Sequence, residues 1–172
     1  LLQHEGRSYL QRIVSSLRSQ ACEDILVVVA EPFEAEVTKE AEALGVDTVS
    51  NSRPEEGMGS SVSIGFAGLL ERSRASSAWL WPVDTPFVGQ ATLQRLRRGE
   101  GQGGICVPTH RGRGGHPVLV GRELWPELSE CRRLPEGARS VFRRHPARVQ
   151  RIEVDDPEIL HDVDRPEDLP RG

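Results

Sequence analysis

Lysine is almost missing from this sequence, because Lys39 is the only one and arginine supplies the rest of the 22 basic residues. The sequence therefore offers almost no lysine that could bind a phosphate group, and arginine must make such contacts. The basic residues are scattered along the chain, and the formal net charge is only -4. Proteins that bind nucleic acid cluster their positive charge on one face, so nucleic acid is not an expected partner.

Cysteine is also scarce, and long apolar runs are absent. Cys22, Cys106 and Cys131 lie far apart without a Cys-x-x-Cys pair, which gives no indication of a zinc site or a disulfide framework. No apolar run approaches the roughly 20 residues that span a bilayer, and the first residues do not form a signal peptide. We expect a cytoplasmic protein in a reducing compartment, without a membrane partner.

The pattern of apolar residues is that of one α/β domain covering residues 1–172, a length that supports one substantial core. Apolar, often β-branched runs predict strands at residues 25–30, 46–49, 78–83, 105–108, 117–120 and 149–154. Amphipathic helices are predicted between them, one after Ser8 as N-cap and one after Pro32, with Phe33 and Val37 on its buried stripe. This alternation predicts a three-layer α/β fold with a mostly parallel sheet.

Asp84 ends the aromatic run that begins at Ala78, and Thr85 and Pro86 follow it. In an open α/β sheet the carboxyl ends of the parallel strands form the ligand face, so Asp84 is suited to face a ligand or hold a metal ion. The alternative is that Asp84 caps the next helix through Thr85 and Pro86. A second acidic cluster at residues 162–168 also follows an apolar run. The two clusters would meet around one divalent cation if both lie at that face.

Two further loops are rich in glycine and polar residues. Residues 51–59 lead into a helix that begins at Ser60, and a helix N-terminus suits a phosphate or the polar edge of a base. An ordinary loop with serine caps is the alternative. Residues 109–116 join two predicted strands, and Arg111, Arg113 and His116 supply donors for anionic groups. A flexible hairpin tip explains the same composition.

Four segments of this chain, NSRPEEGMGSSVSIG, PVDTPFV, RGRGGHPVL and DVDRPEDL, occur in this order over nearly its whole length. In order and spacing they resemble the nucleotidyltransferases of the molybdenum cofactor cytidylyltransferase (MocA-like) type. The resemblance implies a Rossmann-like nucleotidyltransferase fold. It also implies transfer of a nucleoside monophosphate from an NTP, with CTP favoured, to a phosphorylated acceptor such as molybdopterin or the molybdenum cofactor, with release of pyrophosphate. A molybdoenzyme is a further implied partner.

The resemblance also implies residue roles. Asp84 and Asp164 would be catalytic and coordinate Mg²⁺, with Asp162 in support. The implied nucleotide-binding residues are Asn51, Gly57, Gly59 and Ser61, and the implied acceptor-binding residues are Gly115, His116 and Pro117. Nucleotidyl transfer requires a neutralised triphosphate and an acceptor held in line, and Mg²⁺ prefers oxygen ligands, so two aspartates meet the need.

Two departures from the family's pattern leave alternatives open. Members begin with a strand and a glycine-rich loop that carries an Arg and a Lys onto the triphosphate, whereas residues 1–6 look like the segment after that loop. We therefore expect residues 1–172 to lack this strand and loop. In addition, residues 134–136 replace the Gly-Asp that often precedes Gly-Ala-Arg, which leaves the acceptor open. The alternatives are a guanylyl- or sugar-nucleotide transferase of the same fold, and a non-catalytic maturation partner that binds the cofactor.

Overall fold

The computed structural model describes residues 3–99, 104–163, 165 and 168–169. Its strands are Gln3–His4 (β1), Arg7–Ser8 (β2), Leu26–Val29 (β3), Asp47–Ser50 (β4), Ser77–Leu80 (β5), Ile105–His110 (β6), Arg113–Gly114 (β7), Val118–Gly121 (β8) and Val149–Glu153 (β9). Its α-helices are Tyr9–Ser19 (α1), Glu34–Ala43 (α2), Met58–Arg72 (α3), Gln90–Gly99 (α4), Trp125–Leu128 (α5) and Ala138–Arg144 (α6). Short 3₁₀ turns are Pro54–Glu56, Arg122–Leu124, Cys131–Arg133, Pro146–Arg148 and Pro157–Leu160.

Two sheets contain the main strands. β3 and β4 pair in parallel, while β8 lies between β5 and β6 and β9 pairs with β6 in parallel. β8 runs antiparallel to both of its neighbours, so the larger sheet is mixed. The link from β6 through β7 to β8 is a short hairpin, whereas a parallel partner needs a crossover of a dozen residues or more. β5, β6 and β9 therefore share one direction and β8 opposes them.

Helices cover both faces of the larger sheet, as the alternation of buried residues along its strands requires. Ile105, Val118 and Val120 pack in one apolar cluster with residues of α3, α5 and α6. Cys106 and Leu119 face the other way and pack with residues of α4. The α/β class and the three layers predicted from the sequence are confirmed.

The first two helices pack on the smaller sheet. Ser8 is the N-cap of α1, and its side chain and that of Gln11 form a reciprocal capping box. Phe33 contradicts the prediction of a buried stripe, because it is 63% exposed. The reason is that α2 begins at Glu34, so Phe33 precedes the helix as its N-cap residue and does not share the face of Val37.

Helix α3 packs on both sheets. A Cβ atom on Gly68 would lie 2.7 Å from Leu26 Cδ2, and one on Gly65 would lie 3.1 Å from Val28 Cγ2, so the glycines let α3 approach β3 closely. On its other side Phe66 packs in the cluster of the larger sheet, beside Trp125. The helix thereby fixes the loop before α3 relative to both sheets. Among the described helices, none is both long and apolar enough to cross a bilayer.

Candidate active site

Residues 51–61 run from the end of β4 through the first turn of α3. This segment is called the nucleotide loop below, after the role that the resemblance implies, and Asn51 holds its conformation. This side chain is 1% exposed. Its Nδ2 donates to Ser60 Oγ at 2.8 Å and to Ser61 Oγ at 3.0 Å, and its Oδ1 accepts from the Arg53 amide at 2.9 Å. Both ends of the amide are therefore used inside the protein, and Asn51 orders the loop from within.

Gly57 converts the loop into helix α3. It has φ +84° and ψ -175°, a combination that favours glycine. Its carbonyl accepts the Ser60 amide at 3.0 Å and the Ser60 hydroxyl at 2.8 Å. The first turn of α3, all of it described, contains no acidic side chain. No acidic side chain of this turn therefore opposes an anionic ligand at the positive end of the helix dipole.

Asp84 lies in a tight turn after β5. The Thr85 amide and hydroxyl both donate to the Pro82 carbonyl, at 3.3 and 3.1 Å, and Trp81 Nε1 donates to the Thr85 carbonyl at 2.9 Å. Asp84 is half-buried, and its Oδ1 atom has almost no exposed surface. The turn therefore fixes this carboxylate beyond β5, which ends at Leu80, whereas the sequence predicted a strand that reaches Asp84.

The capping alternative for Asp84 is wrong. The next helix, α4, begins only at Gln90. Asp156 holds its start, because Asp156 Oδ2 accepts the Gly89 amide at 2.9 Å and the Thr92 hydroxyl at 2.7 Å.

The second acidic cluster reaches the Asp84 turn. The Val163 amide donates to the Asp84 carbonyl at 2.8 Å, and the Val163 side chain is buried. Asp162 is exposed beside this contact, whereas Asp164 lies outside the described residues. Within those residues, no group of three or more His, Cys, Asp or Glu side chains is close enough to hold a metal ion. Asp84 and Asp162 carry carboxylate oxygens, the ligand type that suits a hard cation such as Mg²⁺.

The acceptor segment, residues 115–117, crosses the chain just before Asp162. The Gly115 amide donates to the Pro108 carbonyl at 3.0 Å and the His116 amide to the Ile159 carbonyl at 2.9 Å. A Cβ atom on Gly115 would lie only 2.0 Å from Ile159 O, so the crossing requires glycine. Pro117 is buried, and the His116–Pro117 peptide bond is cis.

The His116 ring joins three parts of the site. Burial lowers its pKa most, a hydrogen bond to the Leu80 backbone and the charge of Asp162 raise its pKa, and the charge of Arg139 lowers it. The net shift is downward, so the ring is neutral at pH 7. Nδ1 is buried, and within the described part of the chain it has no hydrogen-bond partner. The Leu80 backbone therefore bonds to this ring, and the charges of Asp162 and Arg139 act on it.

Glu153 braces the hairpin that precedes the acceptor segment. Its carboxylate accepts the Thr109 hydroxyl at 2.6 Å and the Arg111 amide at 2.8 Å, and Arg111 has a positive φ of 51°. These hydrogen bonds lower the pKa of Glu153. Arg111 and Arg113, the predicted donors for anionic groups, are exposed at the hairpin tip.

Sequence reasoning missed Glu153 and Asp156 as parts of this region, and it noted Arg139 only within the Gly-Ala-Arg segment at residues 137–139. Each acts on a residue more than 20 positions away in the sequence, so no local pattern reveals it. The available signal for Arg139 was the resemblance of residues 137–139 to the family's Gly-Ala-Arg segment.

A family model and a curated relative both match most of this chain. A model of the MobA-like NTP transferase domain matches residues 1–149. Nicotine blue oxidoreductase from Paenarthrobacter nicotinovorans is 26% identical over 178 residues, covering 99% of this chain and 85% of the relative.

Solved structures show the same fold. Rv0371c from Mycobacterium tuberculosis H37Rv, in complex with manganese, is 25% identical with a TM-score of 0.73, covering 98% of this chain and 86% of that chain. A nucleotidyl transferase from Methanothermobacter thermautotroptrophicus is 19% identical with a TM-score of 0.78, covering 98% of this chain and 80% of that chain.

Proposed function

Since the chain belongs to the family of MobA-like NTP transferase domains, we propose that it transfers a nucleoside monophosphate from an NTP to a phosphorylated acceptor. CTP is the favoured donor, molybdopterin or the molybdenum cofactor is the acceptor, and pyrophosphate is the second product. Nucleotidyl transfer is the activity of the family, and we propose CTP and molybdopterin as the substrates of this chain.

The hydrogen bond from the Val163 amide to the Asp84 carbonyl, at 2.8 Å, carries this proposal. It brings the segment with Asp162 to the turn with Asp84, so carboxylates from the two acidic clusters share one end of the sheet. Acidic side chains at this end of the sheet suit a polyanionic substrate that binds together with a cation.

We assign Asp84, Asp164 and Asp162 as the residues that would hold Mg²⁺. When bound, the ion neutralises phosphate oxygens whose charge otherwise opposes the attack of a second phosphate. The relative Rv0371c binds manganese in its solved complex, which supports a divalent cation here. The carboxylates contribute charge and position, and the turn closed by Thr85 fixes Asp84 before substrate arrives.

The two substrates are assigned to different segments. Gly57, Gly59 and Ser61 border the nucleotide, and Asn51 supports that contact through its hydrogen bonds to the serines of the loop. The residues of the acceptor segment border the acceptor. The neutral His116 ring adds no positive charge on the acceptor side.

A pyrophosphate-release assay tests the proposal. The protein is incubated with molybdopterin and Mg²⁺ plus either CTP or GTP, and pyrophosphate is measured over time. We expect release that depends on molybdopterin and is faster with CTP. Faster release with GTP would favour a guanylyltransferase, and release with a sugar phosphate in place of molybdopterin would favour a sugar-nucleotide transferase. Binding of molybdopterin without release from any NTP would favour a maturation partner.

An oxidoreductase is the second candidate, because the relative that matches 99% of this chain is named an oxidoreductase. The observation in its favour is sequence similarity alone, at 26% identity. The same protein sample should be mixed with NADH or NADPH and a heteroaromatic dye, and the absorbance of the nicotinamide followed. Oxidation of the nicotinamide, together with no pyrophosphate release in the first assay, would show that the protein is an oxidoreductase and that the proposed function is wrong.

A further inference from the structure

The first turn of α6 lies directly against the nucleotide loop. A Cβ atom on Gly137 would lie 3.2 Å from Gly59 Cα, and a Cβ atom on Gly59 would lie 3.4 Å from Gly137 Cα. Gly137 also has φ +53°, a left-handed conformation that favours glycine. Two backbones that approach this closely leave little room for a side chain. The start of α6 is therefore fixed beside the start of α3.

Arg139 follows this contact and is exposed. Two nearby arginines are bound to carboxylates, Arg143 to Glu136 and Arg132 to Glu56. Within the part of the chain that the structure describes, Arg139 has no such ion pair. Its guanidinium is thus available to an anion from solution, whereas its paired neighbours are already neutralised.

The charge of Arg139 acts on the acceptor segment as well. Its positive charge reaches the His116 ring and opposes protonation there, adding to the effect of burial on the pKa of His116. Asp162 acts on the same ring with the opposite sign. Arg139 is therefore a cation at the edge of the region where the proposed acceptor and the acidic cluster meet.

We propose that Arg139 binds a phosphate group of the acceptor, between the nucleotide loop and the acceptor segment. The inference rests on the proposed function and deepens it by naming the acceptor's phosphate ligand in a chain that has one lysine. A guanidinium donates parallel hydrogen bonds to a phosphate, so it both attracts and orients the group. The Gly59–Gly137 contact sets the position of this cation relative to the nucleotide.

The test compares Arg139→Ala with Arg144→Ala. Arg144 is the matched control, because it is an exposed arginine of the same helix and its removal changes the net charge equally. Binding of inorganic phosphate is followed by phosphorus NMR, and binding of Mg-CTP by calorimetry. We expect Arg139→Ala to weaken phosphate binding about tenfold or more, the loss typical of one charge-assisted hydrogen bond. Arg144→Ala should change it less than about threefold.

Two further measurements sharpen the comparison. Arg139→Lys keeps the charge and loses the planar fork, so it should bind phosphate with intermediate affinity. Mg-CTP affinity should be unchanged in Arg139→Ala. Equal loss of phosphate binding in both alanine variants, or weakened Mg-CTP binding with phosphate binding intact, would overturn the inference.

Failure of this inference is distinguishable from failure of the proposed function. If no NTP yields pyrophosphate while phosphate binding still depends on Arg139, the proposed function is wrong and the phosphate site stands. If transfer occurs and Arg139→Ala leaves the KM for the acceptor unchanged, the inference is wrong and the proposed function stands.

Discussion

Substitution of Asp84 by Asn keeps the size of the side chain and removes its negative charge. We expect the rate of pyrophosphate release to fall at least a hundredfold, because several kcal/mol of charge stabilisation are lost and roughly 1.4 kcal/mol corresponds to a factor of ten. Binding of Mn²⁺, followed by electron paramagnetic resonance, should weaken in parallel. Asp47→Asn is the control, since Asp47 is exposed and pairs with Arg72 at the start of β4. A loss of less than fivefold for Asp84→Asn would contradict a catalytic role.

Gly115→Ala tests whether the acceptor segment positions the acidic cluster. The new Cβ atom would lie 2.0 Å from Ile159 O, so the segment that leads to Asp162 must shift. We expect a loss of stability of roughly 1–3 kcal/mol, as for other overpacked sites, measured by urea unfolding. Mn²⁺ binding should weaken as well, although Gly115 is not a proposed ligand.

Gly112→Ala is the control for Gly115→Ala, because it introduces backbone strain without a steric contact. Gly112 has φ +78° but open space around its Cβ position, so alanine there meets only the conformational penalty, about 1–2 kcal/mol. Its Mn²⁺ affinity should match that of the unmodified protein. If Gly115→Ala also leaves Mn²⁺ affinity unchanged, the crossing at Ile159 does not position the metal carboxylates.

Candidate site residues can be proposed from the sequence where the signal is local. Asp84 follows an apolar run, which predicts a carboxylate after a strand at the ligand face, and its role there stays a prediction. Asn51 was assigned a nucleotide contact from the resemblance, and its bonds to Ser60 and Ser61 suggest that it acts through the loop. Glu153 has no local signal, because its partners become neighbours only when β6 and β9 pair.

The hairpin between β6 and β8 is the element whose stability should depend on acidic pH. Hydrogen bonds from Thr109 and Arg111 lower the pKa of Glu153. A carboxyl group with a lowered pKa stabilises the folded state above its unfolded pKa, about 4.3, and this contribution is lost as pH falls through the folded value. Exchange of the Arg111 amide, measured by NMR, should therefore accelerate relative to its intrinsic rate below about pH 4.

Glu153→Gln is the control for this prediction. Glutamine retains one oxygen acceptor and has no carboxyl group to titrate, so the Arg111 amide should show the same protection from pH 3 to pH 6. The charge of His110 also lowers the pKa of Glu153. Equal pH dependence in both proteins would mean that another group opens the hairpin.

Element positions followed from the sequence more closely than strand directions did. The run at residues 25–30 became β3 over Leu26–Val29, and the predicted strand at 149–154 became β9 over Val149–Glu153. The direction of β8 depends on which strands it lies between, and periodicity within one strand carries no such information. Phe33 illustrates the limit of predicting where a helix begins. The sequence placed Phe33 inside α2, whereas the helix begins after it, at Glu34.

At the scale of the whole molecule, α3 should make the two sheets unfold together. Gly65 and Gly68 bring the helix against β3, and Phe66 packs in the larger core with its ring centroid 6.0 Å from that of Trp125. Phe66→Ala should reduce the free energy of unfolding by about 3–5 kcal/mol, the range for a buried phenylalanine. Phe33→Ala is the matched control, because Phe33 is 63% exposed and its loss should change stability by less than about 0.5 kcal/mol.

Urea unfolding followed by tryptophan fluorescence and by far-ultraviolet circular dichroism should give coincident transitions in both variants. Separate transitions in the two signals would mean that the sheets unfold independently and that α3 does not couple them.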